Sequence, residues 1–400
     1  MLFRRRAGAR ARQLVVNPTY ALSGYYFAYF AYVGAYSPYI TLYLKAVGIS
    51  AAQIGLLYSI PQVMRIFGPT LWGHLSDRSE RPALILRIAT LIALAGFGAV
   101  WFGSSFAWLF CAFVVMHFFT SAQMPLVEAI TLDHVRDMPG QYGRIRLWGS
   151  VGFIASVLGL GYLLDHVTET AVLAVVTALL ALVVLMAWLM PAPRRREVHH
   201  DDGTSVADVL RRPEVRAFFA AGMLNAFAHA ALYTFYSLYL INHGYSKGTV
   251  GWMWSLGVII EIGVFHYLPQ LTKRFDLTAL YFSTFVACGL RFLLIAWAVD
   301  FWWLLVIAQL LHAFTFAIYH SSAVALVGRY FGPARMARGQ ALYISLTFGL
   351  GGFIGATVSG SLWESIGPAW TYTLSALAGF AGMLVFWRFR RVRPLEPGAV

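Results

Sequence analysis

At 400 residues, 59% hydrophobic and 12% charged, the chain is too apolar to cover a soluble surface, since charged residues make up about 25% of ordinary soluble domains. Its formal net charge of +13 would suit nucleic acid only if it lay on one soluble face, and its distribution along the chain excludes that. Its two cysteines, Cys111 and Cys288, both lie in apolar runs and offer neither a disulfide framework nor a metal-ligand spacing.

Residues 1–19 form a basic arm carrying Arg4, Arg5, Arg6, Arg10 and Arg12. The apolar stretch that follows is too long for a signal h-region and lacks a small-x-small cleavage site, so it reads as a retained first span. Apolar runs near the ~20 residues a bilayer requires then recur end to end. Twelve spans are predicted, at 20–44, 51–73, 83–102, 106–132, 145–164, 171–190, 215–241, 248–270, 278–298, 301–328, 336–363 and 369–388. Each should be helical, because an open backbone cannot be satisfied in lipid. The expected fold is an all-α membrane protein. It has a cytoplasmic arm (1–19), a six-helix bundle (20–191), a linker (192–214), a second six-helix bundle (215–389) and a tail (390–400). The linker is rich in Arg, His and Asp, carries Pro193 and Pro213, and is too short for a domain of its own.

Basic residues alternate with loop parity. Of 30 Lys and Arg, 26 fall in or beside the arm, the linker, the tail and the 2–3, 4–5, 8–9 and 10–11 loops. Lys45 and Lys247 alone occupy opposite-side loops, and Arg65 and Arg291 lie within spans. Positive charge marks the cytoplasmic side, so both termini are expected inside, at an inner membrane.

The halves repeat. A shift of 196 residues places Leu42-Tyr43-Leu44 on Leu238-Tyr239-Leu240, Gly48 on Gly244, Ser50 on Ser246, Gly55 on Gly251 and Ser59 on Ser255. The same shift places Arg65 on Glu261, opposite charges at equivalent depth. Glu261, Arg291, His312 and His320 all sit deep within spans. A charge there costs roughly 3 kcal/mol or more, so such residues pair, face water and serve function. Glu261, Arg291 and His312 are read as proton-coupling machinery, and His320 as a substrate-binding residue. His312 and His320 are eight apart, which on a regular helix gives one face.

The 2–3 loop reads Gly73-His74-Leu75-Ser76-Asp77-Arg78-Ser79-Glu80-Arg81-Pro82. Gly73 would allow close helix approach. Asp77, with Arg78 and Arg81, would form a gate contact at a helix N-terminus. The fourth span carries Glu128. The fifth opens with Tyr142-Gly143-Arg144-Ile145-Arg146-Leu147-Trp148-Gly149-Ser150-Val151-Gly152-Phe153. The eighth has Ser255-Leu256-Gly257-Val258-Ile259-Ile260-Glu261, the tenth Leu311-His312-Ala313-Phe314-Thr315.

With these motifs the chain resembles the major facilitator superfamily, in its oligosaccharide/nucleoside:proton symporter branch. It is similar above all to the 3-phenylpropionate transporter group, over essentially all twelve spans. The resemblance implies two pseudo-symmetric bundles with substrate bound between them. It implies that Glu128 and Arg146 bind substrate, as a carboxylate and a guanidinium can in a dry cleft. Phe153 stands where the sugar-stacking Trp of lactose-permease-like members occurs. Their essential acid falls at Val258, and here it comes a turn later, at Glu261. Arg291 and His312 match, whereas Thr315 replaces an acid and Gln309 a Lys. The lactose machinery is therefore not copied. Glu261 is expected to carry the proton, with Arg291 setting its ionisation and His312 as hydrogen-bond partner, since burial favours the neutral acid and a guanidinium the ionised one.

Tyrosines stripe the first and seventh spans, and Tyr36 and Tyr236 are expected to face the cavity. Arg65 adds a cation for substrate. No Walker sequence, nucleophile elbow or His-Glu-x-x-His pattern occurs, so neither ATP nor an enzymatic reaction is implied, and no cofactor or metal. The expected function is proton symport of a small organic solute by a monomer in the lipid bilayer, an aromatic carboxylate such as 3-phenylpropionate. The alternatives are a sugar or nucleoside symporter, a drug or metabolite proton antiporter, a sensor or scaffold on the same fold, and a membrane-embedded enzyme.

Overall fold

The computed structural model describes residues 17–79, 81–138, 140–191 and 205–389. The basic arm's arginines, most of the linker and the tail lie outside the described residues. Among those described, the chain is helical and contains no strand. The helices are α1 (Pro18–Ala46), α2 (Ala51–Ser79), α3 (Pro82–Gly98), α4 (Phe106–Thr120), α5 (Gln123–His134), α6 (Gln141–Leu164) and α7 (Ala171–Leu189). After a short α8 (Ala207–Leu210) come α9 (Pro213–Asn242), α10 (Lys247–Arg274), α11 (Leu277–Trp297), α12 (Trp302–Leu310), α13 (Tyr319–Tyr343), α14 (Gly352–Trp363) and α15 (Pro368–Phe389). Two π-helical segments, Phe314–Ile318 and Ile344–Gly351, join α12 to α13 and α13 to α14.

Nine of the described helical stretches are long and apolar enough to cross a membrane, against the twelve spans expected. The difference has two physical sources. The 29-residue helices α1 and α2 are too polar to qualify, one rich in tyrosine, the other bearing Arg65, His74, Asp77 and Arg78. The run Trp302–Trp363 counts once although it holds 62 residues, about 90 Å if straight, or three times the hydrocarbon core. It is not straight: Gly332 adopts φ 67° and ψ 176° ahead of Pro333, and the chain turns there.

The repeat is visible in local geometry. Gly48 ends α1 with φ 86°, and Gly244 ends α9 with φ 84°. Ser50 Oγ then accepts from Gln53 N at 3.3 Å, and Ser246 Oγ from Thr249 N at 3.1 Å. Each is a left-handed glycine stop followed by a serine N-cap.

Within the first half, α1 packs on α6 and α7, α3 on α4 and α7, and α2 on α4. Within the second, α9 packs on α14 and α15, α11 on α15 and α13, and α10 on α12. Between halves, α2 meets α14, α6 meets α10 and α1 meets α9. At the α2–α14 crossing a Cβ on Gly55 would lie 2.8 Å from Gly360 Cα, so only glycine permits this approach. Hydrogen bonds crossing between halves concentrate near the loops after α1, α6, α9 and α14. Thr41 Oγ1, for example, donates to Thr234 O at 2.7 Å. Farther along, the crossing runs through α2 and Ile344–Gly351, where Ser345 Oγ donates to Ile66 O at 3.0 Å.

Candidate functional site

Arg291 of α11 is among the largest fully buried side chains of the described residues, 1% exposed. Its Nε donates to Ala308 O at 3.1 Å, Nη1 to Thr315 Oγ1 at 3.1 Å, and Nη2 to Gln309 Oε1 at 3.3 Å. Nη1 also lies 3.5 Å from His229 Nε2. His229 Nδ1 is 2.8 Å from Asn225 O. A carbonyl there requires Nδ1 to hold the proton, leaving Nε2 bare to accept from Arg291. Gln309 Nε2 in turn donates to the Tyr236 hydroxyl at 2.6 Å. Ala308 belongs to the last turn of α12, where carbonyls look outside the helix for donors. The guanidinium is thus held by neutral acceptors, with no carboxylate among them.

Glu261 of α10 faces His312 instead, Oε2 to Nε2 3.8 Å. Both are mostly buried, with 19% and 11% of the side chains exposed. The imidazole lies in the break between α12 and the π segment, stacked on Phe316, with no partner at Nδ1. It fits because Gly257, one turn before Glu261, has no side chain: a Cβ there would sit 2.9 Å from the ring. Arg146 of α6, from the other half, is a cation whose charge bears on Glu261. Arg291, expected to set the ionisation of Glu261, donates its hydrogen bonds to Ala308 O, Thr315 and Gln309.

Arg146 is a hub. Its guanidinium stands 4.3 Å over the Phe30 ring and 5.5 Å over Tyr26. Glu128 and His320 lie within its electrostatic range, as does Glu261. No ion pair within 4 Å joins it to Glu128 among the described residues. Arg65 of α2 is exposed although protein surrounds it. Its Nη1 donates to Gln62 Oε1 at 3.2 Å, its guanidinium stands 5.9 Å from the Phe348 ring, and Tyr29 of α1 and Tyr233 of α9 are its charge neighbours. Partly buried or exposed polar groups from α1, α2, α5, α6, α9, α10 and α13 are thus linked by charge from one half to the other. Tyr233 stacks on Trp254, centroids 6.1 Å apart.

A polar space between two internally repeated halves is a solute-transport geometry rather than a catalytic one. A family model described as MFS_1 like family matches residues 19–374. The chain belongs to the MFS_1-like family. Like its relatives it is a multi-pass secondary transporter and no enzyme. It is 30% identical over 372 residues to the probable 3-phenylpropionic acid transporter of Escherichia coli (strain K12), covering 91% of this chain and 97% of that one. It is 24% identical over 380 residues to the nucleoside permease NupG of Escherichia coli (strain K12), covering 86% and 89%. The crystal structure of the nucleoside transporter NupG superposes with a TM-score of 0.84 at 18% identity, over 94% of this chain and 100% of that one; it shares the fold.

In this MFS_1-like transporter two expected site tyrosines are bonded inside their own halves. Tyr36 lies within the first half, its hydroxyl 2.9 Å from His117 Nε2. Tyr236 lies within the second, bound to Gln309. Tyr233 has Arg65 of the opposite half among its charged neighbours, and Tyr29 has Arg65 of its own half. They belong to the same stripes, and their signal was proximity to Arg65, which no linear spacing encodes. Phe153 is two turns from Arg146 on α6 and half-buried against the core. His312 and His320 do not share a face: the π segment between them changes the helical phase, leaving His312 buried and His320 exposed. Gly73 faces open space, with nothing within 4 Å of the point a Cβ would occupy, so it serves no close approach here. Arg78 is exposed in the last turn of α2, and Arg81 N donates to Ser79 Oγ at 3.3 Å, a local turn bond. The Asp77 side chain and Glu80 lie outside what is described. A groove of about 450 Å³ between α1 and α6, lined by Tyr20, Phe27, Arg144 and Trp148, includes none of Arg65, Glu128, Arg146 or Glu261 in its lining.

Proposed function

We propose that the chain is a proton symporter of an aromatic monocarboxylate of the 3-phenylpropionate kind. Twelve spans in two six-helix bundles would carry it, with both termini cytoplasmic in an inner membrane. The twelve follow when α1 and α2 are counted as spans and the run Trp302–Trp363 is divided at Gly332. The observation that carries the reading is Arg65: a guanidinium in the inter-half space, without a carboxylate in ion-pair range among the described residues. An unpaired cation between aromatic rings suits an aromatic acid, the guanidinium taking the carboxylate and the rings of Tyr29, Tyr233 and Trp254 the phenyl group. The relative with 30% identity, named for 3-phenylpropionic acid, supports the same substrate class.

In the proposed cycle Glu261 carries the proton. Protonated, it faces His312 and Arg146 without net charge, and the substrate carboxylate becomes the counter-charge of Arg65 and Arg146. Proton and anion then cross together as a neutral load, which lowers the cost of moving the closed cleft through the bilayer. Glu128 would accept hydrogen bonds from the cleft side of α6 and leave Arg146 available. A nucleoside remains the second reading, favoured by the two acids Glu128 and Glu261, which suit ribose hydroxyls.

Counterflow in proteoliposomes tests the choice. Preloaded unlabelled 3-phenylpropionate should drive transient accumulation of labelled 3-phenylpropionate, and preloaded nucleoside should not. Counterflow with nucleoside alone would overturn the carboxylate reading.

A further inference from the structure

Lys45 and Lys247, the two basic residues outside the loop alternation, each reach across the boundary between halves to an acid. Lys45, at the end of α1, places Nζ 3.0 Å from Glu364 Oε1, just past α14. Lys247, the first residue of α10, places Nζ 2.7 Å from Glu169 Oε1, between α6 and α7, and 3.0 Å from Leu164 O. One bridge runs from the first half to the second, the other from the second to the first. Each is joined by a helix cap from the opposite half. Glu364 Oε1 accepts from Ala51 N, the start of α2, at 3.4 Å. Asp165 accepts from Lys247 N at 2.7 Å and Gly248 N at 3.0 Å, the start of α10. Carboxylates at helix N-termini are favoured by the exposed N–H groups and the dipole.

We propose that these residues form a two-armed ionic clasp that sets how often the transporter opens at this end. Every bond in it joins one half to the other, so all are lost together when the halves part. A contact made in one state and absent in the other is what shifts a two-state population. Two lysines on the sparsely charged side are explained by the same geometry: both are used.

Hydrogen bonds from Lys247 and Lys45 hold the Glu169 and Glu364 carboxyls below their ordinary value of 4.5. Depressed acids contribute above the unpaired value and lose the contribution as pH falls through the paired one. The window therefore lies below pH 4.5. The titratable neighbours are Tyr39, beside Asp165, and His166, next in sequence. The clasp is thus constant between about pH 5 and 8 as far as its acids are concerned, and separable from proton coupling at Glu261.

Spin labels at Val167 and Ser365, in the full-length protein in nanodiscs, read the distance between halves at this end. Lys247→Ala and Glu169→Ala should each raise the open population about two- to fivefold, the span of a partly exposed ion pair. The double variant should go no further than either single, and Lys247→Glu with Glu169→Lys should recover the closed distance. The Lys45–Glu364 arm should behave alike. Unchanged distances in the single variants, effects that add in the double, or a swap that recovers nothing would each overturn the clasp. None of these outcomes depends on which solute is carried.

Discussion

Glu261 and His312 meet across the break in the tenth apolar run, Oε2 to Nε2 3.8 Å, while Arg146 of the other half supplies the nearby positive charge. An acid that faces its cation across the boundary between halves feels a different field whenever that boundary rearranges. This is what a proton carrier in an alternating cleft requires. Glu261→Gln keeps the size and the hydrogen-bonding capacity but cannot ionise. It should abolish accumulation driven by a proton gradient and preserve counterflow. Proteoliposome uptake with and without an imposed pH gradient measures both, and full gradient-driven accumulation by the variant would remove Glu261 from the proton path.

Arg291 has a different expected role. Its donors are taken by Ala308 O, Gln309 and Thr315, with His229 Nε2 beside them. Arg291→Met fills the volume but leaves those acceptors unsatisfied, at a cost of about 2–4 kcal/mol. Arg291→Lys, with a single ammonium, cannot reach all of them and should recover only part. Thermal unfolding in detergent reads the loss. The assignment fails if Arg291→Met unfolds at the wild-type temperature.

Tyr36 and Tyr29 separate packing from binding on one helix. The Tyr36 hydroxyl is bonded to His117 and its ring packs on Phe97 and Phe113. Tyr36→Phe should cost about 1 kcal/mol of stability and leave the transport KM unchanged. Tyr29→Phe should raise KM for a carboxylate by altering the surroundings of Arg65. The reverse pattern would place Tyr36 in the cleft.

Much of the scaffold was legible because it rests on local rules. Gly48 and Gly244 stop their helices with positive φ, and Ser50 and Ser246 start the next ones, so a 196-residue shift in sequence became a repeat in geometry. The midplane groups were legible by cost, since Glu261 and Arg291 are too expensive in lipid to be incidental. Their pairing was not. Arg146 serves Glu261 because α6 packs on α10, a contact between halves that no spacing reveals. The phase of His320 was lost for another reason. The π segment Phe314–Ile318 adds a residue to one turn, and a constant 3.6-residue period cannot register it.

Asp276 offers a pH test outside the spans. Its carboxylate accepts from Thr278 N at 2.9 Å and from the Thr278 hydroxyl, capping α11. The Thr278 hydroxyl bond holds the carboxyl below its ordinary 3.8. The folded value is the lower one, so the stabilisation is fully present above the ordinary value and lost as pH falls through the folded one. Asp276→Ala should cost about 1 kcal/mol at neutral pH and progressively less below about pH 4. Thermal unfolding of both proteins across pH should show their curves converging in acid. A gap that stays constant would mean the cap works without its charge.

Arg65 tests the proposed substrate class itself. Its guanidinium has one side-chain hydrogen bond, to Gln62, and stands among Phe348, Tyr29 and Tyr233. If it holds the substrate carboxylate, Arg65→Gln should weaken 3-phenylpropionate about ten- to hundredfold, the worth of a charge-assisted hydrogen bond. The neutral amide of the same acid should lose little, because it never had that bond. Arg65→Lys should recover part of the acid's affinity through charge alone, without the bidentate fork. Ligand-induced thermal shift on purified protein compares the acid and the amide under identical conditions. Equal losses for both would show that Arg65 shapes the cleft and does not choose the anion.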